Sequence, residues 1–256
     1  MKPDRSIYRG RFAPSPSGPL HFGSLVAALG SWLRARAEHG RWLVRIDDID
    51  APRVRSGAAR SILVMLAAHG LEPDEPVIYQ SRRRAFHIDA LARLREAGAI
   101  YACACTRGDL VPFNGTHPPR CIRTPESGRP TSWRVRAPRN PIRFKDHALG
   151  PQRQQCDDFV VQRANGTISY QLATVVDDAD ARVTEVVRGA DLLDSTARQI
   201  LLQRLLRLQR PDYLHLPLAL DGSGRKLSKR EDALVLDIAA PLPTLGAALA
   251  FLGQRV

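Results

Sequence analysis

The chain has 256 residues, 44% of them hydrophobic and 25% charged, which supports a packed core and excludes wholesale disorder. The formal charge is +12 and the sequence pI is about 10.4, with arginines spread along the whole chain, so polyanions and nucleic acid first of all are the favoured partners. No run reaches the ~18 uninterrupted apolar residues of a membrane span, and no membrane association is expected.

In chain order, Ile7 to Phe12 predicts a short strand, ended by the breakers Pro14, Pro16, Gly18 and Pro19. From Ser24 to Arg36, Leu25, Ala28, Leu29, Trp32 and Leu33 recur at helical spacing, with Ser24 placed to cap. Arg41 to Ile46 predicts a second strand, followed by the acidic knot Asp47-Asp48-Ile49-Asp50. Helices are expected from about Arg55 to Ala68 and from about Arg82 to Ala97. Strand–helix–strand–helix order argues for an α/β fold with a parallel sheet. From Tyr101 to about Asp157, Pro, Gly and Arg replace any long helical pattern, and all four cysteines fall there, three of them clustered. This stretch reads as an inserted, metal-stapled subdomain. Phe159-Val160-Val161 and Val183 to Val187 follow as strands, Leu192 to Leu208 as a helix, and Leu245, Leu249 and Leu252 mark one short final helix. The expected division is 1–100 and 166–235 for the two halves of a catalytic domain, 101–165 for the insert, and 236–256 for the last helix.

Two loops carry chemistry. Arg11 to Ser24 lies between a strand and a helix start, where backbone N–H groups and the helix dipole hold phosphate. There His21 can donate to a phosphate oxygen, and Gly23 permits close approach. The second loop is Arg225-Lys226-Leu227-Ser228-Lys229-Arg230, preceded by Asp221-Gly222-Ser223-Gly224. Its ammonium groups suit the charge that develops as pyrophosphate leaves. Alone, the first is an ordinary Pro/Gly loop and the second a solvated basic patch.

Together, His21-Phe22-Gly23-Ser24 and Lys226-Leu227-Ser228-Lys229-Arg230 resemble the His-Ile-Gly-His and Lys-Met-Ser-Lys-Ser signatures of class I aminoacyl-tRNA synthetases. Arg11 to Gly18, Arg45 to Asp50 with Arg53, Tyr170 to Ala173, Val175 to Asp178 and Arg188 to Thr196 narrow the resemblance to glutamyl-tRNA synthetases. Only 26 residues follow Arg230, too few for an anticodon-binding domain. A short catalytic half with a cysteine cluster is similar to the glutamyl-Q tRNA(Asp) synthetase family.

That resemblance implies a Rossmann-like nucleotide-binding fold and ATP-dependent activation of L-glutamate, with magnesium on the phosphates. It implies transfer of the glutamyl group to the queuosine base of tRNA(Asp); separately, a monomer is expected. It places Arg11, Phe12, Ala13, Pro14, Ser15, Asp47, Tyr170 and Arg188 around glutamate. His21, Gly23, Ser24, Lys226 and Lys229 fall to ATP, with His21 and Lys229 catalytic. Guanidinium suits a carboxylate and Asp47 the substrate ammonium, although the family pattern has Glu where Asp47 stands. Two alternatives remain at this level: a truncated synthetase charging a tRNA 3′ end, and a non-catalytic tRNA-binding paralogue.

Cys103, Cys105, His117 and Cys121 offer three thiolates and an imidazole, a set that satisfies tetrahedral structural zinc. The resembling family tends to have Tyr where His117 stands. Cys156 is set apart from them. The N-terminus, Met1-Lys2-Pro3-Asp4-Arg5, shows no apolar signal segment, and a cytoplasmic place is expected.

Overall fold

The computed structural model describes residues 7–118, 121–123, 125–126, 130–219 and 236–255. The first half is a parallel sheet of β1 (Arg9–Phe12), β2 (Arg41–Ile46) and β3 (Ile78–Tyr79), in the order β1-β2-β3. β2 is covered on both faces: Trp42, Leu43, Val44, Arg45 and Ile46 are all buried, hence its near-continuous apolar run. α1 (Phe22–Ala37) is the crossover from β1 to β2, and α2 (Ala58–Ala68) and α3 (Arg84–Glu96) flank β3 in the chain.

The second half is a four-stranded sheet in the order β7-β6-β10-β9. β9 (Glu185–Gly189) and β10 (Asp212–Leu216) run parallel across the crossover helix α5 (Leu193–Leu205). β6 (Ile142–Asp146) adds in parallel to β10, and β7 (Gly150–Gln154) is an antiparallel edge. A third, antiparallel sheet joins β4 (Ile100–Cys103), β5 (Ser132–Val135) and β8 (Phe159–Gln162). α4 (Tyr170–Asp180) follows β8, and α6 (Pro241–Phe251) closes the described chain.

The two parallel halves abut at β1 and β9. The Thr184 N–H donates to the Arg9 carbonyl at 2.9 Å, and the Arg9 N–H donates to Thr184 Oγ1 at 2.9 Å. Crossovers leave these neighbours in opposite directions, β1 toward β2 and β9 toward β10. That is a topological switch point, and a crevice opens beyond the carboxyl ends of such strands.

Several expectations shift. The first helix begins at Phe22, so its cap is His21 and not Ser24: His21 is extended (φ −120°, ψ 171°) and its ring accepts the Ser24 N–H. The expected helix over 55–68 starts at Ala58, after Gly57 in the left-handed region (φ 75°). The expected insert, 101–165, shares a sheet and a core with the rest of the chain. Its β6–β7 hairpin completes the sheet of β9 and β10, and Val135, Ile142, Phe144 and Phe159 share one core with α4 and α5. Among the described residues no helix is long and apolar enough to cross a membrane.

Candidate active site and metal centre

The crevice at the switch point is a cleft of about 320 Å³ between the end of β1, the N-terminus of α1 and the ends of β9 and β10. Of the residues expected around the amino acid, Arg11, Phe12, Ala13, Pro14, Ser15, Tyr170 and Arg188 line it. So do His21, Gly23 and Ser24 of the first loop. Lys226 and Lys229 lie outside the described residues. Ala219 lines the cleft just before their segment, and Leu236 just after it is buried in the same apolar cluster as Ala219 and Phe22.

Beneath the cleft lies a closed group of charges. Arg45 donates Nε to Asp47 Oδ1 and Nη1 to Asp178 Oδ1, both at 2.6 Å. Arg11 donates Nε to the Asp178 carboxylate at 3.2 and 3.4 Å and Nη1 to the Val187 carbonyl at 3.3 Å. Asp47, expected to face a substrate ammonium, is 7% exposed, is held by Arg45, and does not line the cleft. Burial raises the Asp47 pKa even against the Arg45 charge. For Asp178, burial pushes upward too, but the Arg11 and Arg45 guanidinium groups outweigh it and hold the carboxyl below its usual range.

Arg188 differs from Arg11. It is 4% exposed and donates Nε to His215 Nε2 (3.2 Å), Nη1 to Gln199 Oε1 (2.8 Å) and the Tyr170 hydroxyl (3.4 Å), and Nη2 to Thr196 Oγ1 (2.8 Å). Among the described residues, every acceptor it reaches is neutral. At the other wall, His21 Nδ1 accepts the Ser24 N–H at 3.3 Å. With that lone pair engaged, the proton of a neutral ring sits on Nε2, the tautomer that can donate to an oxyanion.

The sulfur and imidazole ligand atoms of Cys103, Cys105, His117 and Cys121 lie within 4.8 Å of one another. Cys121 Sγ is 3.6 Å from Cys103 Sγ and 3.7 Å from Cys105 Sγ, and His117 Nε2 is 3.3 Å from Cys103 Sγ. Metal–sulfur bonds of ~2.3 Å at tetrahedral angles put sulfurs about 3.8 Å apart, so this cluster can hold a metal ion. His117 is oriented from behind. The Tyr101 hydroxyl donates to Asp158 Oδ2 at 2.6 Å and stands 3.1 Å from His117 Nδ1, so its oxygen accepts the Nδ1 proton and Nε2 is left for the metal. Burial, with the Arg134 charge nearby, lowers the His117 pKa and keeps the ring neutral. Cys156 lies outside the group.

Sequence reasoning missed Tyr101, Asp158, Asp146 and His215. Tyr101 stands two residues before Cys103 in β4, a weak signal; Asp158 and Asp146 arrive only through tertiary pairing. Arg45 and Asp178 were visible in the motifs, but not as partners.

A family profile described as tRNA synthetases class I (E and Q), catalytic domain, matches residues 8–118 and 120–240. The glutamyl-Q tRNA(Asp) synthetase of Burkholderia cenocepacia (strain HI2424) is 52% identical over 262 residues, 96% of this chain and 88% of its own. That of Xanthomonas axonopodis pv. citri (strain 306) is 54% identical over 252 residues, 97% of this chain and 84% of its own. The crystal structure of a glutamate tRNA ligase from Elizabethkingia meningosepticum CCUG26117, in complex with its amino acid, matches with a TM-score of 0.79 and 28% identity over 88% of this chain. The chain spans about half (52%) of that protein's length. The protein is thus an enzyme of the ATP-dependent ligase type. It belongs to the class I tRNA synthetases (E and Q) and, among them, to the glutamyl-Q tRNA(Asp) synthetases.

Proposed function

We propose that the chain joins L-glutamate to ATP as glutamyl-adenylate and passes the glutamyl group to the queuosine base of tRNA(Asp). Arg188 carries the first half of this reading: a buried cation on the cleft wall whose acceptors among the described residues are neutral, beside Arg11, whose charge Asp178 already matches. A buried cation without a counter-ion is costly, and a ligand carboxylate supplies one with bidentate geometry. Glutamate has two carboxylates.

The first turn of α1 turns backbone N–H groups toward the cleft, and its dipole favours the ATP phosphates there. His21 Nε2 donates to the α-phosphate as charge builds on it. The glutamate carboxylate attacks the α-phosphorus, the bond to the bridging β-phosphate oxygen breaks, and pyrophosphate leaves. No general base is needed, because the nucleophile is an anion at neutral pH. Magnesium accompanying ATP neutralises charge on its phosphates. We assign Lys229 and Lys226 to the departing pyrophosphate; Ala219, which lines the cleft just before their segment, and Leu236, in the same apolar cluster just after it, support this. The queuosine base then attacks the acyl carbon and AMP leaves.

The Cys3His cluster is assigned to zinc with a structural role, since four protein ligands leave no open position. The reduced thiols suit the cytoplasm.

The test is glutamylation of tRNA(Asp) with and without queuosine. Label is expected only on the queuosine-containing tRNA and is expected to survive removal of the 3′ terminus. Equal labelling without queuosine refutes the acceptor. For activation, glutamate-dependent ATP–pyrophosphate exchange should proceed without tRNA, and Arg188→Lys should raise the glutamate KM far more than the ATP KM.

A further inference from the structure

Asp146, His215 and Arg188 stand on three adjacent strands, β6, β10 and β9, in one line that ends at the cleft. His215 and Arg188 are Cα partners in the β10–β9 ladder, so their side chains share a face, and Tyr213, on that face of β10, pairs with Asp146. We propose that His215, clamped by Asp146, is the positioning residue that fixes the guanidinium of Arg188 for the substrate carboxylate.

The hydrogen bonds define the direction of the relay. Asp146 is fully buried, and its Oδ1 accepts the backbone N–H groups of Ala148 (3.0 Å), Leu149 (2.9 Å) and His215 (3.3 Å). Its Oδ2 lies 2.6 Å from His215 Nδ1. An ionised carboxylate only accepts, so Nδ1 carries the proton. Nε2 of the neutral ring is then a lone pair, and the Arg188 Nε–H donates to it at 3.2 Å. Thr196 Oγ1, 3.3 Å from the same Nε2, accepts Arg188 Nη2 and braces the plane from α5. The ring lies parallel to Tyr213 at 6.3 Å, which limits its rotation. Burial, opposed by the Asp146 hydrogen bond and aided by the Arg188 charge, lowers the His215 pKa and keeps the acceptor form. A protonated ring would turn Nε2 into a donor facing Arg188. The Asp146 charge thus reaches Arg188 through a neutral ring, orienting the cation while leaving it unmatched for the ligand.

The inference rests on the reading of Arg188 as the carboxylate-binding cation. Two substitutions separate the bonds of His215. Gln places an oxygen near the Nε2 position and keeps the acceptor for Arg188; Asn places its amide near Nδ1 and keeps only the Asp146 bond. In ATP–pyrophosphate exchange, His215→Asn is expected to raise the glutamate KM about 10- to 100-fold, the weight of one hydrogen bond to a charged group, with the ATP KM unmoved. His215→Gln is expected to recover most of that loss. Equal effects of the two, no effect of either, or parallel rises in both KM values overturn the proposal. Arg188→Lys serves as the separate control: an unchanged glutamate KM there defeats the underlying reading instead. Nitrogen NMR of the wild-type ring needs no variant. The Nδ1–H tautomer at pH 7 is expected, and an Nε2–H or doubly protonated ring refutes the relay.

Discussion

Asp178→Asn removes one charge from the closed group under the cleft and nothing of its shape. Asp178 is 4% exposed and accepts from Arg45 Nη1 at 2.6 Å and Arg11 Nε at 3.2 Å. With Asp47 these residues make two cations and two anions, a neutral set; the variant leaves a net positive charge in a buried group. Removing one partner of a buried pair costs about 3–5 kcal/mol. The Asn oxygen still accepts one bond, so the low end, about 3 kcal/mol, is expected, which for a chain of this size is roughly 6–12 °C in Tm. The pH dependence has a definite sign. Burial raises the Asp178 pKa, but Arg11 and Arg45 more than reverse that. A carboxyl depressed in the folded state contributes stability above its unfolded pKa of about 3.9 and loses it as pH falls through the folded value. Urea unfolding of wild type and variant should therefore show the full gap at pH 7 and a shrinking one below about pH 4. A gap under about 1 kcal/mol at pH 7, against that ~3 kcal/mol, or one that persists in acid, refutes the reasoning.

Three further outcomes follow from other parts of the molecule. Purified protein should carry one zinc per chain by atomic emission, and Cys121→Ser or a strong chelator should remove it and lower Tm, while glutamate activation continues because none of the four ligands lines the cleft. Gly40→Ala should cost about 1–3 kcal/mol in thermal or urea unfolding; its new Cβ would meet the Tyr8 carbonyl oxygen at 2.3 Å, and backbone cannot step aside as a side chain can. Lys229→Ala should abolish pyrophosphate exchange while leaving the far-ultraviolet circular dichroism unchanged; residual exchange near wild type would remove that lysine from the chemistry.

What the sequence made legible was what depends on near neighbours. β2 matches its expected span because both faces are buried and its apolar run is continuous. The cysteines and histidine of the candidate metal centre are close enough in sequence to be read as a set. α4 was not read as a helix although Leu172, Val175, Val176 and Ala179 recur at helical spacing; its buried side also includes Asp177 and Asp178, which interrupt the apolar pattern. Those acids are paid for by partners from distant elements, Gln80, Arg83 and His87 for Asp177 and Arg11 and Arg45 for Asp178. The β6 segment does alternate, Ile142 and Phe144 inward with Arg143 and Lys145 outward, but only its pairing with β10 shows that it belongs to the main sheet. The Asp47 carboxylate, beside a cleft motif, reads as a ligand in sequence, and only the structure shows Arg45, two residues earlier, paired with it.

α6 packs on α1, with Phe251 edge-on to Phe22 at 6.1 Å and Thr244 Oγ1 3.1 Å from His69 Nε2. The apolar cluster around β1 and β2 therefore recruits Leu236 and Ala248 from beyond residues 220–235. On the ribosome, the half that is made first must wait for the half made last before its interior is complete. The first turn of α1 and the residue that follows 220–235 thus share one interior, so a chain ending before Leu236 would leave that interior open.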